Sequence, residues 1–168
     1  GVPPLTTAPQ ARRVFERSLI ASLGSSTDAT SVGYNLRAVR LAGAAVRERL
    51  SQEHWALIQR TEDAFFQSCD HTPAGADYSA LHALTALKRA SDHLAAITGL
   101  QTDRMTRDDG WRLLSIGRHV ERLGFLSHAL TTGFAHGAVH HDGGFEAMVA
   151  LFDSTITFHG EYQQSHDI

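Results

Sequence analysis

Apolar residues along this chain recur at intervals of three and four, and runs that alternate strand-fashion are nearly absent. The pattern predicts a first helix over about Gln10 to Leu23, which the Gly/Ser/Thr/Asp joint "GSSTDAT" breaks while supplying N-caps. A second helix follows from about Thr30 to Leu50. Ser51 is placed to cap a third, from about Gln52 to Ser68, ahead of the Pro- and Gly-bearing loop "CDHTPAGAD". Asp77 then caps a fourth that runs to about Thr98, with Gly99 as its C-terminal stop. Thr106 and Asp109 resemble a capping box for a fifth, about Asp108 to Thr132. A flexible connection, "GFAHGAVHHDGG", leads to a sixth over about Phe145 to Phe158, and the polar tail after Gly160 frays. Long helices with short joints predict an all-α, up-and-down antiparallel bundle of five to six helices.

Two helices carry the polar groups of interest. On the second, Val32, Leu36, Val39, Ala42, Gly43, Val46 and Leu50 form one stripe. Arg40 and Arg47 edge it, and the small run Ala42 to Ala45 lets another helix approach closely. On the fifth, Leu113, Leu114, Ile116, Gly117, Val120, Leu123, Gly124 and Phe125 share a wide apolar face that also contains Glu121. A carboxylate so placed needs a cation and hydrogen bonds, or it protonates. Arg118, with Trp111 and Arg122 on the border of that face, is one donor, and Arg40 or Arg47 the other. The bland alternative is an ion pair that fixes helix register. The functional one is a pocket for an anionic ligand, because Arg104, Arg107, Arg118 and Arg122 are more cations than one glutamate uses.

Composition narrows the function. The chain has 168 residues, 42% hydrophobic and 20% charged, with a net charge of −3, which describes one globular domain or a core plus an appendage. No Lys/Arg run exceeds two residues, so a nucleic-acid partner is not expected. No run approaches a membrane span and no signal-peptide core precedes Gln10. A lone cysteine, Cys69, favours a reducing compartment, the cytoplasm. Cys69 beside Asp70 makes a poor nucleophile. His136, His140, His141 and Asp142 sit in one loop, a weak basis for a zinc site, and no Glu-x-x-His motif occurs. Neither a cofactor nor a resident metal is expected. Trp55, Ile58, Phe65 and Phe66 read as core.

Three blocks carry a resemblance: "MTRDDGWRLLSIGRHVER" (Met105 to Arg122), "VRERLSQEHW" (Val46 to Trp55) and, loosely, "GFEAMVALFDSTITFHGEY". Together they resemble the alpha-E family, bacterial all-helical domains named for a Glu-Arg motif, here Gly117, Arg118, Glu121 and Arg122. Three departures accompany it. The Arg-Glu-Asn-Ala-Arg usual ahead of "VRE" is Arg40-Leu41-Ala42-Gly43-Ala44. The terminal Tyr-Arg is Phe158-His159. The family's opening Trp-x-Gly-Arg-x-x-Glu-Arg helix has no counterpart before Gln10, so that helix is either cut away or absent from the protein, and Gly1 in place of an initiator methionine predicts a piece of a longer chain. The resemblance implies association with a circularly permuted ATP-grasp ligase, in the same or a separate chain, and no assigned activity for the domain itself.

Three functions therefore remain open. The leading one is a non-catalytic helical binding or scaffold module working with an ATP-grasp-type amide ligase. It would bind a carboxylate- or phosphate-bearing ligand, such as a peptide, or dock the ligase through Arg118, Glu121, Arg122, Arg107, Arg47, Arg40 and Trp111. The second is an enzyme of amide or peptide metabolism with Glu121 as general base. The third is a purely structural dimerisation bundle, a homodimer.

Overall fold

The computed structural model describes residues 9–70 and 79–152, and within them the chain is all-α. It divides into two compact units, residues 1–105 and 106–168.

The first unit holds α1 (Pro9–Ser22), α2 (Val32–Ala45), α3 (Gln52–Asp70) and α4 (Ala80–Asp103). The joint between α1 and α2 is ordered by its own side chains, as its Ser/Thr/Asp content predicts. Ser25 Oγ accepts from the Asp28 N–H (3.1 Å), and Asp28 Oδ1 accepts from both the Thr30 N–H (2.9 Å) and the Thr30 hydroxyl (2.7 Å). The Thr30 N–H and hydroxyl hold the Asp28 carboxyl below its ordinary range. Ser31 caps α2 by accepting from the Tyr34 N–H at 3.0 Å.

Helix α2 stops five residues short of the expected Leu50. At Val46 the backbone leaves the helix (φ −120°, ψ 31°) and a single 3-10 turn, Arg47–Arg49, leads to Ser51. Ser51 caps α3 as predicted, its hydroxyl accepting from the His54 N–H at 3.1 Å. The stripe on α2 is realised in part: Leu36 and Gly43 are buried, whereas Val39 and Val46 reach solvent.

Leu36, Phe65, Ala86 and Ala90 form the buried core of this unit, and Leu23, Val32, Cys69 and Leu87 pack around them. Ile58 and Phe65 are buried on α3, and Trp55 and Phe66 are half-buried beside them. The α2–α3 approach is close at Gly43, where an added Cβ would stand 3.3 Å from both Ile58 Cδ1 and Trp55 Cζ3. That is the tight contact the small residues of α2 predict. Helix α4 is capped by Ser79, which accepts from the His82 N–H at 3.2 Å, while the expected cap Asp77 lies outside the described residues. Gly99 does not end α4, which runs on to Asp103; a glycine inside a helix costs only about 1 kcal/mol, too little to stop it.

The second unit contains α5 (Asp109–Ala135) and α6 (Asp142–Leu151). Asp108, not Thr106, caps α5, accepting from the Trp111 N–H at 3.1 Å. The glycine-bearing segment after α5 is a built turn where a flexible connection was expected. Gly137 takes φ +66°, a left-handed conformation that ends the helix, and the 3-10 turn Ala138–His140 leads into α6 three residues ahead of Phe145. Met148 of α6 packs on Gly133, with Val139 buried alongside. The expected extension of α6 to Phe158 and the tail beyond Gly160 fall outside the described residues.

Two outcomes follow for the first unit. Phe65→Ala empties the centre of its core and lowers stability by about 3–5 kcal/mol, read from the urea midpoint of its helical signal. His54 is buried, its Nε2 has no hydrogen-bond partner among the described residues, and burial holds its pKa below the ordinary 6.5. The unfolded chain then binds the proton more readily than the folded one. Stability is therefore complete above about pH 6.5 and falls as the pH drops below it. His54→Leu should flatten that acid limb when urea midpoints at about pH 7.5 and about pH 5 are compared, and an unchanged slope would remove His54 as its cause.

Candidate functional site

The structure divides the seven site residues expected from sequence between the two units. Arg40 and Arg47 belong to the first, and Arg107, Trp111, Arg118, Glu121 and Arg122 to the second.

In the first unit Arg40 projects from α2 onto α3. Its Nη1 donates to Glu62 Oε2 and to Asp63 Oδ1, each at 2.7 Å. The Glu62 side chain is only 10% exposed and Asp63 is 55% exposed, so one guanidinium serves a carboxylate inside the packing and another at its rim. The hydrogen bond to Glu62, with a smaller one to Asp63 and the two negative charges, raises the Arg40 pKa against its partial burial. Arg47 lies 5.8 Å from the Trp55 ring centre and donates to the Leu50 carbonyl at 2.8 Å, fixing the turn between α2 and α3. Arg104 reaches Glu53 at 2.6 Å, an exposed pair far along the chain.

In the second unit Glu121 is exposed, as are Arg118 and Arg122. This corrects the expectation of a carboxylate lodged among apolar side chains. The glycines counted as its surroundings, Gly117 and Gly124, have no side chain with which to enclose it, and Phe125 is itself half-exposed. Arg40, expected as a donor to Glu121, is taken by Glu62 and Asp63. The buried carboxylate held by guanidinium does exist in this fold, but it is Glu62. A signal for it was present in sequence, since Glu62 lies between Ile58 and Phe65 on the core-facing line of α3.

What remains on α5 is an open polar face. Arg107 stacks over Trp111 with its guanidinium carbon 5.4 Å from the ring centre, at the N-terminal end of the helix. Trp111, Arg118 and Arg122 follow at helical spacing, and Glu121 sits beside them. Neither Arg118, Glu121 nor Arg122 forms an ion pair among the described residues. Arg112 on the same helix pairs with Asp109 at 3.2 Å. Among the described residues no three His, Cys, Asp or Glu side chains gather as metal ligands, and no helix is long and apolar enough to cross a membrane.

The Arg40 geometry makes a graded test. Arg40→Leu leaves Glu62 charged inside the packing and costs about 2 kcal/mol, less than a fully buried pair because the guanidinium is partly in water. Arg40→Leu with Glu62→Leu recovers much of that loss, and Asp63→Asn alone costs under about 0.5 kcal/mol. Urea unfolding at neutral pH reads all three, and an Asp63→Asn cost equal to that of Arg40→Leu would contradict the assignment.

Uncharacterized proteins of Mycobacterium bovis and of Mycobacterium tuberculosis strain H37Rv are each 25% identical over 119 residues, 71% of this chain. The match spans only 13% of the length of each relative. No solved structure matches. Residues 4–168 match the family model described as a predicted alpha-helical domain with a conserved ER motif, and the chain belongs to the Alpha-E family.

Proposed function

We propose that this chain is a non-catalytic, cytoplasmic helical module that binds and presents rather than transforms. It works with an ATP-grasp-type amide ligase and uses the polar face of α5 either to hold a carboxylate- or phosphate-bearing ligand or to dock the ligase. One observation carries the reading: Arg118 and Arg122 stand one helical turn apart, exposed and without ion pairs among the described residues, in line with the Arg107–Trp111 stack. Two guanidinium groups so spaced suit an anion that can accept from both, and the stacked Trp111 gives a flat apolar edge beside it. The ligase partner is what the family resemblance implies.

Arg40 and Arg47 are left out of this surface, because their donors already serve Glu62, Asp63 and the Leu50 carbonyl. The general-base reading of Glu121 loses its physical motive, since it relied on an apolar enclosure and Glu121 stands in solvent.

The double variant Arg118→Ala, Arg122→Ala should weaken association with the ligase, or with a carboxylate-bearing peptide, by about tenfold or more, with helical content unchanged. Calorimetry and circular dichroism on the same samples decide it. Unaltered affinity in a folded variant would leave the arginines as solvated surface charge.

A further inference from the structure

Helix α3 encloses a polar ring that makes no polar contact at one of its nitrogens. His54 is 2% exposed, and its Nε2 has no hydrogen-bond partner among the described residues. It stands in the first turn of α3, on the buried face with Ile58, Thr61, Glu62 and Phe65, and α3 packs against α2 and α4 of its own unit. A neutral imidazole is tolerated there. An imidazolium would carry charge into the packing, at the end of a helix where the backbone dipole also opposes a cation.

The charged groups of the surrounding elements offer that imidazolium no counter-ion. Glu53 of the same turn holds Arg104 of α4 at 2.6 Å, and Glu62, about two turns along α3, holds Arg40 of α2. Arg47 donates to the Leu50 carbonyl, and Glu48, Arg49 and Asp103 are exposed. His93, half-buried on α4 between Ala90 and Ile97, adds only a further site for positive charge. Burial is the one cause that lowers the His54 pKa, with no charged neighbour acting on it in either direction.

The loss of stability with acid is not spread evenly, because the unit is fastened unequally along its length. The buried cluster of Leu36, Phe65, Ala86 and Ala90 lies toward the other end, with Phe65 about 16 Å along α3 from His54 at 1.5 Å per residue. Toward His54 the packing rests on Leu50, Trp55 and Ile58 against Gly43, and on buried Ile97. The Arg104–Glu53 pair that ties α4 to α3 there is 62% and 67% exposed, and such pairs contribute little. Segments held by few apolar contacts and by exposed polar ones open ahead of the rest. We infer that His54 is an acid-operated latch: taking up a proton opens the first turns of α3 and the last turns of α4 together, while the cluster around Phe65 stays closed.

Backbone hydrogen exchange, followed by NMR on the whole chain at about pH 7.5 and about pH 5 and corrected for the intrinsic rate, reads this opening. The open form takes the proton more readily than the closed one, so acid favours it. The Ile58 and Ile97 amides should lose protection by up to about thirtyfold, the most that a ring with its ordinary pKa when open drives over that interval. At the lower pH they should be at least about tenfold less protected than the Phe65, Ala86 and Ala90 amides, which wait for the whole unit to unfold. His54→Leu carries no titrating ring and should keep Ile58 and Ile97 at their neutral protection. The His54 ring signal of the unaltered chain gives a second reading that needs no variant, and it should titrate below 6.5. The inference is overturned by a pH response under about twofold, by equal protection of the two sets of amides in acid, or by a response that survives His54→Leu. A response that His93→Gln abolishes, or a His54 midpoint at or above 6.5, overturns it as well.

Discussion

How closely α2 can approach α3 decides the packing of the first unit. Gly43 lets the Ile58 and Trp55 side chains come within van der Waals distance of the α2 backbone, and that proximity brings Arg40 onto Glu62 and Asp63. The polar contact depends on the apolar one. A guanidinium a third in water gains little from an exposed carboxylate, but Glu62 is nearly enclosed and would stand uncompensated without it. The pair therefore contributes less to the depth of the energy minimum than to its uniqueness, because sliding α2 along α3 would separate Arg40 from a carboxylate that has no water to replace it.

Sequence spacing made the helices themselves legible, because their existence rests on apolar periodicity that many residues report together. Their ends were less so. The apolar spacing of α2 continues through Val46 and Leu50 even though the backbone has already turned into a 3-10 segment, so the stripe overran the helix. Gly99 resembled a stop but is only a weak residue inside α4, whereas Gly137 does end a helix, because its left-handed φ is a backbone state that ordinary residues avoid. Composition alone does not separate those two glycines.

The candidate site shows the same limit. That a carboxylate would be enclosed and answered by Arg40 was sound physics attached to the wrong glutamate. Glu121 appeared enclosed because the apolar face of α5 was drawn wide enough to include Gly117 and Gly124, which count as apolar in composition but enclose nothing. Glu62 escaped notice since its immediate neighbours, Thr61 and Asp63, are polar; only its place on the line from Ile58 to Phe65 marks it as inward-facing. Burial follows the direction of the side chain: Thr61 is buried beside Glu62 while Asp63 is exposed, so the polarity of adjacent residues does not report it.

Helix α5 carries apolar side chains on more than one side, Leu113, Val120 and Leu123 on one and Phe125 on another, all of them exposed. Trp111, Arg118 and Arg122 share one side of α5 with the half-buried Leu114 and the exposed Phe125, so charge and apolar surface are interleaved there. A helix buried in a core has no such freedom, since a wide apolar stripe takes up the positions where a cation would stand. Glu121 and Arg122 thus stand in a setting where polar and apolar side chains alternate around the helix.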